Sequence, residues 1–364
     1  MIPVLEFFFP VTWFLLLLFL VWYFLLTDCD AVLAFAEKFG RPVGDFKRKV
    51  VWVTGASSGL GEAMAYELAS VGAKLILTAR SEDLLQKVKE DCIELSQGQL
   101  EKKDILVLPF DLSRLECHKE NVEKAVNHFG KIDVLINNAA RYQIGEIIET
   151  DIEVDKAIFD VNFFGTVSLT KLLLKHFLQN GGGRIVVISS IAGKYGIPST
   201  ASYAATKHAL QGYFESVRME HNRDRISVTM ICPGIFSSSI FGRTMTTKAD
   251  EILQKDYIHY ECTNMSSERC AHLTLVAAIN KLFESWIAYQ PFLLMLGSSQ
   301  YVPDLYKYVM NIIYTKKRVS QLQEGKWPHD LPVWRPLFKK ATSPTPVRVV
   351  NGTTTPVKAI NCTK

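Results

Sequence analysis

The sequence has no paired cysteine motif. Its seven cysteines are odd in number, scattered from Cys29 to Cys362, and never spaced as CxxC. They fit neither a zinc ribbon nor a disulfide framework and read as small core residues. Its eight histidines fall at no metal-ligand spacing, so no metal site is expected. Charge of one sign is also scarce: 41 basic residues against 37 acidic ones leave a net charge of +4. With no arginine-rich run and no basic patch interleaved with aromatics, nucleic acid is not an expected partner. The 48% apolar content of the 364 residues is ample for a buried core.

Charge is also missing from Phe7 to Leu26, FFFPVTWFLLLLFLVWYFLL, a run of 20 residues. At ~1.5 Å per residue it spans the ~30 Å hydrocarbon layer of a bilayer. A cleaved signal peptide is the rival reading, but the run has no basic segment before it and no small-x-small cleavage site after it. Residues 1–28 are therefore expected to be a single-pass transmembrane anchor. Lys38, Arg41, Lys47, Arg48 and Lys49 all follow the run, which places the next domain in the cytosol by the positive-inside rule. Sequons at Asn264, Asn351 and Asn361 point to the lumen instead, and triplets of this kind also arise by chance.

After an amphipathic linker, residues 29–48, the pattern becomes regular. KVVWVT (49–54), AKLILTAR (73–80), DILVLPF (104–110), KIDVLINN (131–138), RIVVISS (184–190) and RISVTMIC (225–232) are short apolar runs alternating with helical stretches. This alternation predicts an α/β fold, a doubly wound parallel sheet of the Rossmann type with ligands beyond the carboxyl ends of its strands. A seventh strand is expected near Gln290–Met295, after a helix beginning about Ser267, and the domain is expected to cover 49–300.

TGASSGLG, Thr54 to Gly61, follows the first strand directly. Gly55, Gly59 and Gly61 allow a tight turn, a close approach to a pyrophosphate, and packing of the next helix on the sheet. Ser57, Ser58 and Leu60 lie in the same loop, where a helix N-terminus offers free N–H groups to phosphates. The second strand ends without the acidic residue that usually reads an unphosphorylated ribose; Arg80 and Ser81 stand there instead. Arg80 suits a 2′-phosphate, which favours NADP(H) as the cofactor, the alternative being a plain surface arginine. Asp111 and Leu112 follow the third strand at the place for an adenine edge, and Asn138 and Ala139 close the fourth beside the cofactor.

Ser190 stands thirteen positions before Tyr203, and Lys207 stands four after it. On a helix that spacing puts Lys207 and Tyr203 on one face. A phenol with a free pKa near ~10 needs a cation to act at neutral pH. Lys207 and a cationic cofactor together are expected to bring it toward ~7. A YxxxK pair alone arises by chance about once in such a chain.

Taken together, TGASSGLG, Asn137-Asn138-Ala139, Asn162 in VNFFGT, Ser190, Tyr203, Lys207 and the Pro233-Gly234 turn resemble the short-chain dehydrogenase/reductase family over about residues 47–295. The anchor, TARS and C-terminal extension look most like its membrane-bound dehydrogenase/reductase member 7 group, and also like its 11β-hydroxysteroid dehydrogenase type. The resemblance implies Tyr203 as general acid/base, Ser190 orienting a carbonyl, Lys207 on the nicotinamide ribose, and Asn162 supporting a water-linked proton relay. It places Pro233 and Gly234 at the cofactor. It also implies an endoplasmic reticulum location, a homo-oligomer built on helices 162–178 and 203–220, and a lipophilic substrate such as a steroid, retinoid or xenobiotic ketone. One departure is Ala140, where the family often has glycine.

Between Gly234 and Asn264, Phe236, Ile240, Phe241, Tyr257 and Tyr260 offer apolar walls for such a substrate, or serve as ordinary core. Residues 301–341 form a C-terminal extension. Tyr301–Tyr314 is suited to a membrane surface, to covering a substrate mouth, or to core packing. Residues 342–364 read as a flexible tail. Sugar epimerase chemistry is a rival, although its relatives usually carry TGxxGxxG spacing. A non-catalytic membrane-bound cofactor-binding scaffold is another, and all three of Ser190, Tyr203 and Lys207 remain against it.

Overall fold

The computed structural model describes residues 27–236, 244–249, 251–252 and 265–323, with the backbone of two short strands, Val347–Val350 and Thr353–Pro356. The expected anchor Phe7–Leu26, the three sequon asparagines, Ile240, Phe241, Tyr257 and Tyr260 lie outside the described residues. The two short strands pair antiparallel within the stretch read as a tail.

In chain order the domain runs α1 (Ala31–Phe39), β1 (Val50–Thr54), α2 (Gly59–Ser70), β2 (Lys74–Ala79), α3 (Glu82–Leu95), β3 (Ile105–Pro109), α4 (His118–Phe129) and β4 (Val134–Asn137). Then come α5 (Ile152–Phe159), a π-helical turn (Asp160–Gly165), α6 (Thr166–Gln179), β5 (Gly183–Ile188), α7 (Ala201–Glu220) and β6 (Ile226–Pro233). The last elements are α8 (Ser267–Ile279), β7 (Glu284–Ile287), α9 (Phe292–Tyr301), α10 (Pro303–Ile313) and α11 (Lys316–Gln323).

The seven strands pair in parallel in the order β3-β2-β1-β4-β5-β6-β7. The order reverses between β1 and β4, which opens a crevice at their carboxyl ends. Alternate strand residues enter opposite layers. Val51, Val53, Leu75 and Ile136 pack with α2 and α8, whereas Trp52, Ile76, Leu135 and Val187 pack with Leu169, Phe177 and Phe214 of α6 and α7. Each fully buried side chain of this size contributes ~1.5–3 kcal/mol. This double coverage explains why six strands read as unbroken apolar runs.

The seventh strand differs from its expectation. It is Glu284–Ile287, and the apolar stretch at Gln290–Met295 leads into α9 instead. β7 is the last strand of the sheet, paired with β6 on one side and met on the other by a single antiparallel bridge from Cys29 to Ile287, and it carries a half-buried pattern rather than an apolar run.

Asp30–Arg48, the stretch read as an amphipathic linker, is folded onto the domain. Asp30 caps α1 by accepting from Val32 N and Leu33 N, and its other carboxylate oxygen accepts from Trp286 N at 2.7 Å. Leu33, Ala36, Val43 and Phe46 are buried. Arg269 of α8 bridges Asp28 and Glu37, and His272 lies between Glu67 at 2.7 Å and Glu37 at 3.4 Å. The hydrogen bond to Glu67 raises the His272 pKa above its usual 6.5. Its stabilising contribution is therefore complete below pH 6.5 and is lost as pH rises through the raised value. His272→Gln should lower Tm most in acid and progressively less as pH rises; a Tm difference independent of pH would contradict the pairing.

Among the described residues one helix, Ile152–Gln179, is long and apolar enough to cross a membrane, with half of its apolar window buried. It contains Leu169, Leu173 and Phe177, which pack under the sheet, so its apolarity is that of a core helix.

Candidate active site

The strand ends surround one cavity of about 670 Å³, well within the ~300–1,000 Å³ range of small-molecule sites. Of the residues singled out in the glycine loop, Gly55, Ser57, Ser58 and Leu60 line it. Gly59 and Gly61 stand behind the lining and shape it. Gly55 and Gly59 adopt φ of +65° and +60°, the left-handed region that favours glycine. A Cβ on Gly61 would lie 2.2 Å from Gly55 O and 2.6 Å from Asn138 Nδ2. Helix α2 thus starts in close contact with the loop it closes.

Hydrogen bonds stitch the loop to the end of β4. Thr54 Oγ1 accepts from Asn138 N at 2.9 Å and Ala139 N at 3.1 Å. Asn138 Nδ2 donates to Thr54 O at 2.9 Å and Gly55 O at 3.2 Å. Asn138 and Ala139 both line the cavity. Asn137 turns the other way, donating to Thr170 Oγ1 at 3.0 Å, and is a structural strand end.

Arg80, Ser81, Asp111 and Leu112 form one end of the cavity. Asp111 Oδ1 accepts from Ser113 N at 2.9 Å and from its hydroxyl at 2.8 Å. Burial pushes the Asp111 carboxyl up, but these bonds and the nearby Arg141 and Arg80 hold it below its ordinary range. Pro233 and Gly234 line the opposite wall.

Ser190, Tyr203 and Lys207 meet in the same cavity. Ser190 lies just past β5 and caps the turn Ile191–Gly193 through Ala192 N at 3.1 Å, while also hydrogen-bonding Tyr203. A Cβ on Gly193 would lie 2.5 Å from Ser189 Oγ and 2.9 Å from Lys207 O, so glycine lets this turn lie against α7. Tyr142 packs edge-on to Tyr203 with ring centroids 4.6 Å apart.

Electrostatics at the tyrosine depart from the expectation. Burial pushes the Tyr203 phenol up to about 12, with only the Ser190 hydrogen bond pulling it down. Lys207 is 2% exposed, its Nζ donates to Ile188 O at 2.7 Å, and burial lowers its pKa to about 7. Lys207 lies 5.5 Å from the ring centroid, and desolvation remains the leading influence on the phenol. The protein's own groups therefore keep Tyr203 a neutral proton donor, and a further cation beside it is needed to draw the phenolate out.

Asn162 is buried in the π-helical turn and does not reach the cavity lining. Its amide accepts from Arg141 N at 2.7 Å and donates to Arg141 O at 2.9 Å and Thr206 Oγ1 at 3.2 Å. Thr206 in turn donates to Tyr203 O at 2.7 Å. Asn162 thus links the wall after β4 to the helix that carries the tyrosine.

The apolar part of the cavity comes from Phe236, Met245, Ile252, Ile191, Phe292 and Met295. Phe236 was expected there. Tyr314 also lines the cavity, while Tyr306 is buried against Tyr195 with ring centroids 5.5 Å apart. The 301–314 segment therefore contributes to the core and to the cavity wall. Its other face stays outside, with Leu305 and Ile312 each 61% exposed. The sequence reading missed Arg141 and Tyr142, whose signal was a cation and an aromatic directly after NNAA.

A family model for short chain dehydrogenases matches residues 49–249. The human protein named dehydrogenase/reductase SDR family member 7 is 38% identical over 315 residues, covering 85% of this chain and 91% of that one. Its mouse counterpart is 37% identical, covering 85% and 90%. Crystalline levodione reductase superposes with a TM-score of 0.57 at 24% identity, over 66% of this chain and 94% of that one, which shows the shared fold. The chain belongs to the short-chain dehydrogenase/reductase family and is an oxidoreductase. Membership implies a nicotinamide cofactor, and the glycine cradle stitched to Asn138 fits one.

Proposed function

We propose that this protein is an NADP(H)-dependent oxidoreductase that interconverts carbonyl and hydroxyl groups on a lipophilic substrate, with Tyr203 as general acid/base. The observation that carries this reading is that Ser190, Tyr203 and Lys207 share one cavity with Arg80 at one end and apolar walls elsewhere. When bound, the nicotinamide supplies or removes a hydride. Ser190 and Tyr203 aim two hydroxyls at the oxygen where charge develops, and Tyr203 delivers or takes its proton. Lys207 and the loop after β1 hold the ribose and phosphates, and Arg80 is the group placed to read a 2′-phosphate.

Steroids, retinoids and xenobiotic ketones suit the apolar walls. The apolar run Phe7–Leu26 and the exposed outer face of α10 support residence on the endoplasmic reticulum membrane as a single-pass protein. Exposed Phe164, Leu178 and Met219 on and beside α6 and α7 support a homo-oligomer. A panel of lipophilic ketones and alcohols, followed by NADPH and NADH absorbance, should give turnover with at least one bulky member and a preference for the phosphorylated cofactor. Cofactor binding without turnover across the panel would favour a binding scaffold instead.

A further inference from the structure

Arg141 reaches the cavity from the opposite side of β1 to Arg80. It follows β4, whereas Arg80 follows β2, and β1 lies between them in the sheet. Both guanidinium-bearing residues line the same cavity. The backbone of Arg141 is held at both its N–H and its carbonyl by the amide of Asn162, so this cation stands on a fixed base. Among the described residues neither arginine side chain at this wall has a hydrogen bond or a carboxylate at ion-pair distance. Asp111 is the nearby acid, and its Oδ1 is already committed to Ser113.

Two like charges facing one cleft repel each other. Burial and the Arg80 charge both depress the Arg141 pKa, and Asp111 offsets them only in part. A guanidinium does not relieve this by losing its proton at neutral pH. A dianion entering between the two cations would, and a phosphate monoester with its three acceptor oxygens matches paired guanidinium forks.

We propose that Arg141 is the second arm of a two-arginine clamp for the 2′-phosphate of the dinucleotide, closing from the β4 side opposite Arg80. The inference rests on the NADP(H) reading above. It assigns cofactor selectivity to a residue outside the glycine loop and outside the end of β2, and it gives Asn162 a positioning role through the Arg141 backbone.

The test measures dissociation constants of NADPH, NADH and adenosine 2′,5′-bisphosphate by titration calorimetry for the wild type, Arg80→Gln, Arg141→Gln and Arg141→Lys. Arg141→Gln should weaken NADPH and the bisphosphate by about 10- to 100-fold and leave NADH within about twofold, because hydrogen bonds to charged groups are the strong ones. Arg141→Lys should fall between, and it keeps the charge should the glutamine variant fail to fold. Equal losses for NADPH and NADH would place Arg141 on the shared pyrophosphate or the fold and overturn the clamp. No loss for either would overturn it as well. If the wild type shows no preference for NADPH, the cofactor reading itself fails. If that preference depends on Arg80 and not on Arg141, only the clamp fails.

Discussion

Tyr203→Phe should lower turnover by about 10³-fold while leaving the dissociation constant of the cofactor unchanged. The ring keeps its edge contact with Tyr142 and loses only the hydroxyl that Ser190 hydrogen-bonds. Positioned acid/base groups typically contribute 10²–10⁴-fold, so about 4 kcal/mol of barrier rests on this one oxygen. The pH behaviour adds a second readout. A phenol pushed up to about 12 stays protonated through neutral pH, the form that carbonyl reduction uses, whereas oxidation needs the phenolate. The oxidation rate should climb with pH in the wild type and lose that slope in the phenylalanine variant. Steady-state rates in both directions between pH 6 and about 9 would decide it; turnover within tenfold of wild type would remove Tyr203 from the chemistry.

Gly61→Ala should be the more damaging change to the fold, although it adds a single methyl. The new Cβ would sit 2.2 Å from Gly55 O and 2.6 Å from Asn138 Nδ2. Neither atom is a flexible side-chain end: one is backbone, and the other is held by Thr54 O and Gly55 O. Overpacking of this kind costs about 3 kcal/mol or somewhat more, which corresponds to a Tm lower by roughly 6–12 °C in a domain of this size. Because the loop and the β4 end must separate to admit the methyl, cofactor affinity should fall together with stability. Gly212→Ala is the natural control, since its added Cβ meets nothing within 4 Å. At this exposed place inside α7 alanine should stabilise by about 0.5–1 kcal/mol. Thermal melts and calorimetry on the two variants check this, and a Gly61→Ala protein that melts with the wild type would overturn it.

The contrast between these glycines also indicates what could be read from the chain. The loop from Thr54 to Gly61 was legible because its spacing is imposed by local geometry, a turn followed immediately by a helix. Six strands were legible because layers on both faces demand continuous apolar runs. β7 was not, since an edge strand such as ESWI buries only alternate residues, and the more apolar FLLM beside it begins a helix. Tyr203 and Lys207 were visible through helical spacing and Ser190 through its place at the end of an apolar strand, yet the direction of the tyrosine's pKa shift depends on burial by distant elements. Arg141 stood in plain view after NNAA. Only the folded arrangement, with Asn162 gripping its backbone, shows that it faces the cavity shared with Arg80.

The attachment of residues 28–39 has a mechanical consequence. Asp28 O accepts from Ala288 N at 2.9 Å, Asp30 N donates to Trp286 O at 2.9 Å, and Arg269 grips both Asp28 and Glu37. A spacer at this point would act as a swivel between residue 28 and the catalytic body. The stapled arrangement acts as a bracket instead. Any force or orientation imposed at residue 28 passes directly into β7 and α8, and with them the end of β6 that walls the cavity. The segment before β1 and the cavity wall thus move as one body, so a load applied at residue 28 would be felt at the site rather than absorbed by a hinge.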